Sequence, residues 1–161
     1  MKNPLHLALT ALAITSISLF AAEEHSHDKP IPGPKGGRVL EVEGGHVEFF
    51  VQTDKKVSVT FYGKDMKAIQ PAEQIVSVIA EAPAGKAKLE FDKNTDAFVS
   101  KTELPEGDGY RVVLQIKSTA DAKTQNFRID YHTEICGECK MAEYACICAS
   151  EGGGKHEGHG H

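Results

Sequence analysis

Apolar residues alternate with polar ones in several stretches along the middle of the chain. A period of two is the pattern of a β-strand with one buried face. The apolar positions are Val47, Phe49 and Val51; Val57, Val59 and Phe61; Ala87, Leu89 and Phe91; Tyr110, Val112, Leu114 and Ile116; and Phe127, Ile129 and Tyr131. No part of residues 38–133 shows a sustained apolar stripe at helical spacing. The pattern therefore predicts half-buried antiparallel sheet.

Short polar or glycine-rich segments separate these runs, at residues 44–45, 53–55, 63–65, 92–96 and 105–109. Glycine, asparagine, aspartate and proline at such points are typical of hairpin turns and surface loops. The expected fold is all-β: an immunoglobulin-like antiparallel β-sandwich of seven to nine strands over residues 38–133. Glu41, Glu43 and Glu48 alternate with apolar residues, and we expect them to coat the wet face of a sheet.

The start of the chain has the pattern of a secretory signal peptide. Lys2 precedes a run that is mostly apolar, and the small residues Ala21 and Ala22 stand before Glu23. We expect residues 1–21 to be cleaved, which predicts a periplasmic or secreted protein. The apolar run is too short and interrupted for a membrane span. No cysteine follows it to carry a lipid, so a lipoprotein is not expected.

Two further segments lie outside the predicted sandwich and the signal. Residues 22–37 are rich in histidine, proline and glycine and are predicted to be a flexible lead-in. After a cysteine-rich element at residues 134–148, residues 149–161 are predicted to be a disordered glycine and histidine tail.

Charge and motif content exclude several classes of function. The formal net charge of −5 becomes −6 once Lys2 is removed with the signal. An acidic chain without a basic cluster does not favour nucleic acid or an anionic membrane as partner. The sequence also has no glycine-rich phosphate loop, no nucleophile elbow and no zinc-protease helix motif. We therefore expect a protein that is not an enzyme.

All four cysteines lie near the C-terminus, as Cys136 and Cys139 and then Cys146 and Cys148. The first pair forms the tight turn with which two thiolates meet one metal ion, and the second pair supplies the remaining two sulfurs of a tetrahedral site. Soft sulfur donors favour zinc or copper. An exported protein with an even cysteine count also predicts disulfides, of which a nested set joins Cys139 to Cys146 and Cys136 to Cys148. Reactive redox thiols are a third alternative.

The histidines suggest a second set of metal ligands. His132 stands four residues before Cys136, where it could complete or flank a cysteine site. Other candidates lie at the two ends of the mature chain: His25, His27, His156, His159 and His161. Imidazoles interleaved with glycine can wrap around zinc, copper, nickel or cobalt ions, although ordering such a tail costs conformational entropy. Cleavage after Ala22 would also create an N-terminal site for Cu(II) or Ni(II) that includes His25.

Residues 32–41 read PGPKGGRVLE and residues 45–51 read GHVEFFV. This pair of segments resembles the periplasmic region of some adaptor subunits of heavy-metal efflux systems, and the lead-in HSHD at residues 25–28 is similar in style. The resemblance implies a free-standing periplasmic β-domain connected with copper, zinc, nickel or cobalt homeostasis. It does not imply efflux itself, because the chain lacks the helical hairpin and lipoyl-like region of an adaptor.

These observations predict an exported, non-enzymatic protein that captures, buffers or delivers a transition-metal ion. Its partner would be a heavy-metal efflux adaptor or another envelope protein. The alternative function is a disulfide-stapled envelope module whose sandwich binds a protein and whose metal binding is incidental.

Overall fold

A computed structural model of the chain describes residues 30–148. These residues form ten β-strands and one turn of 3-10 helix, Glu143–Ala145. The strands are Arg38–Val42 (β1), Gly45–Val51 (β2), Lys56–Gly63 (β3), Ala68–Ile69 (β4), Ile75–Ala82 (β5), Gly85–Leu89 (β6), Phe91–Lys93 (β7), Phe98–Glu103 (β8), Tyr110–Lys117 (β9) and Gln125–Tyr131 (β10). In this part of the chain no helix has the length and apolar character needed to cross a membrane.

The strands build two antiparallel sheets. The first has the order β1-β2-β3-β8-β7, with β4 paired to β3, and the second has the order β10-β9-β5-β6. The predicted all-β sandwich is confirmed. The strand count exceeds seven to nine because β4 and β7 have only two and three residues, which is too short for an alternation to be visible in the sequence.

The core lies between the sheets and contains the predicted apolar faces. Val47 and Phe49 of β2 and Val112 and Leu114 of β9 have no exposed surface. Fully burying a side chain of this size stabilises a fold by roughly 1.5–3 kcal/mol. Both faces of the central strand β3 are buried, so other segments of the chain must cover the side chains that point away from the core.

Glu48 is one of the residues for which the prediction was wrong. We expected it on the wet face of the sheet, but it is completely buried. Its Oε1 accepts the backbone N–H groups of Lys35 and Gly37, each at 2.8 Å. The hydroxyl of Tyr62 donates to Oε2 at 2.7 Å. These three donors replace the water that a buried carboxylate loses, and burial raises the pKa of Tyr62 above its ordinary value.

The glycines before β1 explain how the chain approaches Glu48 so closely. A Cβ at Gly33 would lie 2.2 Å from Glu48 Oε1, and one at Gly37 would lie 2.4 Å from the carbonyl oxygen of Phe49. A larger residue at either position would therefore push this segment off β2. Residues 32–37, the last six of the predicted lead-in, are in this way held over the outer face of the first sheet.

Candidate metal centre

The segment after β10 folds back across the edge of the sandwich. Its 3-10 turn contacts β10 of one sheet and β1 of the other. The backbone N–H of Tyr144 donates to the carbonyl of His132 at 3.0 Å. The guanidinium of Arg38 in β1 donates to the carbonyl of Cys146 at 3.3 Å. The segment therefore ties the last strand of the domain to its first.

Tyr144 anchors this segment in the core. Its ring lies edge-on to Phe49 at a centroid distance of 6.0 Å and packs against Tyr131 at 5.6 Å. Its hydroxyl oxygen accepts the backbone N–H of Val51 at 3.1 Å, and the neighbouring Ala145 has no exposed surface. Tyr144 and Ala145 lie in the spacer between the two cysteine pairs, so their burial fixes the position of both pairs against the sandwich.

The first cysteine pair sits in a tight hairpin turn. The N–H of Cys136 donates to the carbonyl of Met141 at 2.8 Å, and the N–H of Lys140 donates back to the carbonyl of Cys136 at 3.1 Å. Lys140 has a left-handed backbone with φ of 61°, a conformation uncommon outside glycine. The turn directs the N–H groups of Glu138 and Cys139 at the sulfur of Cys136 and that of Met141 at the sulfur of Cys139.

The second pair completes a group of four sulfurs that all lie within 4.8 Å of one another. The Sγ atoms of Cys136 and Cys148 are 3.6 Å apart, and those of Cys139 and Cys146 are 3.7 Å apart. A tetrahedral centre with zinc–sulfur bonds of about 2.3 Å places its sulfurs about 3.8 Å from one another. The predicted convergence of the four cysteines is confirmed, and the group they form could hold a metal ion.

The electrostatics of the four sulfurs favour a cation among them. Hydrogen bonds from the backbone N–H groups of Met141 and Ile147 lower the pKa of Cys139 to about 6. The N–H of Cys139 is the main group that lowers the pKa of Cys136. The pKa of Cys148 is raised instead, first by its hydrogen bond to Cys136 and then by burial. Four thiolates this close repel one another, and a divalent ion relieves the repulsion that protons otherwise relieve.

Among the residues that the structure describes, His132 does not join the cysteine group. Its Nδ1 lies 3.3 Å from Asp108 Oδ2, and its side chain is 46% exposed. The N–H and hydroxyl of Thr133 donate to the other oxygen of the same carboxylate, at 2.7 and 2.8 Å. The bonds from Thr133, ahead of that from His132, lower the pKa of Asp108. His132 thus helps to fix the loop at Asp108 to the end of β10.

The other predicted histidine ligands, His25, His27, His156, His159 and His161, lie outside the described residues. Residues that position the site without ligating were missed, above all Tyr144 and Lys140. The sequence did offer a signal for Tyr144, because it is the one aromatic residue in the spacer between the two cysteine pairs. Lys140 gave none, because its role depends on a left-handed backbone that lysine rarely adopts.

Comparison of the chain with protein-family models, curated proteins and solved structures found no match. The site itself consists of four sulfurs that could hold a metal ion, carried by a segment that contacts both sheets.

Proposed function

We propose that this chain is an exported, non-enzymatic zinc-binding protein, in which Cys136, Cys139, Cys146 and Cys148 hold one ion as thiolates. The observation that supports the proposal is the set of four sulfurs within 4.8 Å of one another. A site closed by four protein ligands leaves no coordination position for a substrate, which is typical of structural or storage zinc and not of catalytic zinc.

Zinc fits this ligand set better than the other ions that the sequence suggests. Four sulfurs in a tetrahedron are typical of zinc or of iron–sulfur centres, whereas Cu(II) and Ni(II) prefer square-planar sites with nitrogen and oxygen ligands. The Sγ separations of 3.6 and 3.7 Å fall close to the tetrahedral edge for zinc. Cu(I) and iron–sulfur centres are the other candidates for four thiolates, and the metal found in protein from its own compartment distinguishes them from zinc.

Zinc binding should be coupled to the docking of the C-terminal segment. The buried residues Tyr144 and Ala145 lie between the ligand pairs, so an ion that joins the pairs also holds these residues in the core. Free energy of binding to the folded form adds to the free energy of unfolding. The ion would act as a clasp between β1 and β10.

In the cell we propose a role in heavy-metal homeostasis, by capture, buffering or delivery of zinc outside the cytoplasm. The signal-like residues 1–21 support export. The terminal histidines at both ends of the mature chain support a second, weaker set of ligands that exchanges ions with the surroundings. The resemblance of residues 32–41 and 45–51 to an efflux-adaptor region suggests an adaptor, or another envelope protein, as recipient.

Mass spectrometry of the full exported chain tests the zinc site directly. The protein is reduced without oxygen, given one equivalent of zinc and measured in the native state, and a second sample is denatured and alkylated. We expect one tightly held zinc ion and four alkylated thiols. Cys139→Ser should lose the tight ion, whereas the matched control His156→Ala should keep it.

Two outcomes would contradict the proposal. If the fully reduced protein binds no more zinc than the Cys139→Ser variant binds, the four sulfurs are not a zinc site. If protein taken from its own compartment always carries two disulfides and never an ion, the alternative of a disulfide-stapled interaction module takes its place. Copper or iron in place of zinc in protein taken from its own compartment would instead reassign the metal.

A further inference from the structure

Within the group of four sulfurs, two close contacts join the two halves of the site. Cys136 lies 3.6 Å from Cys148, and Cys139 lies 3.7 Å from Cys146. A disulfide needs a sulfur separation of about 2.05 Å, so each pair has to close by less than 2 Å. The pairs are nested along the chain, with 139–146 inside 136–148, so both bridges can exist at once.

Closing these pairs would leave the anchors of the segment in place. The contacts that hold it to the sandwich come from the ring and hydroxyl of Tyr144, the buried Ala145 and the guanidinium of Arg38. None of them uses a sulfur atom. A segment held by two bridges in place of an ion would therefore keep its position, and reduction could restore the ligand set.

The sulfurs are also within reach of a reactant. Each of the four cysteines is half-buried, and none is enclosed in the core. Thiol–disulfide exchange requires that a thiolate approach a sulfur of the oxidant and that a second thiol then displace the mixed disulfide. In this site every cysteine has such a second thiol within 3.7 Å.

From this geometry we infer that the site is discharged by oxidation: a disulfide compound converts the four thiolates into the bridges Cys136 to Cys148 and Cys139 to Cys146 and releases the ion. The inference rests on the zinc binding proposed above. In each half of the reaction one thiolate attacks the oxidant and expels a thiolate, and its partner thiolate then displaces the second half of the oxidant as another thiolate. Two oxidant disulfides gain four electrons and leave as four thiolates, which take up protons from water; the protein gains two disulfides, and zinc leaves as Zn²⁺ without change of oxidation state.

The test treats zinc-loaded full-length protein with dipyridyl disulfide and follows both free zinc, with a colorimetric indicator, and the released thiopyridone. We expect one zinc ion to appear for every two oxidant molecules consumed. The protein should become lighter by four hydrogens, and peptide mapping should find both cross-half bridges. Dithiothreitol should then restore the original zinc-binding stoichiometry.

Matched double variants test the pairing itself. Cys136→Ser with Cys148→Ser keeps the pair 139 and 146, and should form one bridge within the chain. Cys136→Ser with Cys139→Ser keeps 146 and 148, and should form none, because a disulfide across one intervening residue is strained.

Failure of this inference can be told from failure of the proposed zinc site. Protein that binds zinc when reduced but keeps it after the oxidant has been consumed overturns only the oxidative release. Bridges within the halves of the site, from Cys136 to Cys139 or from Cys146 to Cys148, overturn the pairing on which the oxidative release depends. Reduced protein that binds no zinc at all overturns the proposed function and this inference together.

Discussion

Replacement of Glu48 by alanine tests how the N-terminal segment is held over the first sheet. The carboxylate accepts hydrogen bonds from the N–H groups of Lys35 and Gly37 and from the hydroxyl of Tyr62, at 2.7 to 2.8 Å. Glu48 has no exposed surface, and its hydrogen bonds from Gly37 and Tyr62 are buried with it, whereas that from Lys35 is partly exposed. The substitution thus removes one acceptor group and leaves three donors without a partner, two of them buried.

The expected loss follows from those three donors. A buried polar group left without a partner costs about 1–3 kcal/mol, and water entering the new space recovers part of the sum. We therefore expect Glu48→Ala to lower the free energy of unfolding by about 4 kcal/mol, a large part of the ~5–15 kcal/mol typical of a domain. Tyr62→Phe removes only one of the three bonds and should cost about 1–2 kcal/mol.

Equilibrium unfolding in urea at pH 7, with zinc bound and the cysteines reduced, measures both losses under the same conditions. The midpoint should fall much further for Glu48→Ala than for Tyr62→Phe, and Glu48→Gln, which keeps one acceptor oxygen, should lie between them. A loss below about 1 kcal/mol for Glu48→Ala would refute the reasoning. It would mean that the segment lifts from β2 and that water satisfies its N–H groups at little cost.

Three other predictions follow from the described structure. Removal of zinc by a chelator from reduced protein should lower the melting temperature, by the equivalent of about 2.7 kcal/mol at a free zinc concentration 100 times Kd; an unchanged melting temperature would separate metal binding from folding. Burial raises the pKa of all four tyrosines, that of Tyr110 to about 12. Above pH 10 the unfolded chain therefore releases protons that the folded chain keeps, so stability should fall as the pH rises, with a slope of at most about 1.4 kcal/mol per pH unit from Tyr110 alone, which denaturant titrations at pH 9 and 11 can measure. Gly33→Ala should destabilise the fold by about 2–3 kcal/mol, because its Cβ would lie 2.2 Å from Glu48 Oε1, whereas Gly137→Ala, with nothing within 4 Å, is a neutral control in thermal unfolding.

The sandwich was predictable because its signal is local. Residues such as Val112 and Leu114 alternate with polar neighbours, and alternation alone assigns them to a buried face. The order of the strands was not predictable, since β3 pairs with β8 across four intervening strands. Pairings of this kind depend on the whole chain and leave no mark on either strand alone.

Glu48 shows where local pattern misleads. Its position in β2 opposes Val47 and Phe49, so period two assigns it to solvent. The structure buries it because residues 33–37 fold over that face, and a strand pattern contains no information about what covers its outer side. The glycines of that segment belong to the motif PGPKGGRVLE, but the physical reason for them, close approach to a buried carboxylate, depends on the tertiary fold and is not visible in the motif.

The cysteine site was predictable in its ligands and not in its support. Spacing alone indicated that Cys136, Cys139, Cys146 and Cys148 could meet, and the four sulfurs do meet. The role of Tyr144 depends on packing of its ring against Phe49 and Tyr131, which lie far apart in the sequence. Such contacts come from tertiary packing and cannot be recognised in the spacer itself.

The hydrogen bond from Arg38 to Cys146 spans 108 positions of the chain, whereas Glu48 binds its partners across 11 to 14. Contacts of short sequence separation have low loop-closure entropy and can form early, while the longest-range contacts wait for the rest of the chain. When the polypeptide is synthesised, its N-terminal part is available first. The hydrogen bonds of Glu48 with Lys35, Gly37 and Tyr62 can therefore form with only the first three strands present. The cysteine segment follows β10 in the chain, and its docking surface is incomplete until β10 is in place, so metal uptake would be the last event in maturation and would report that the domain is complete.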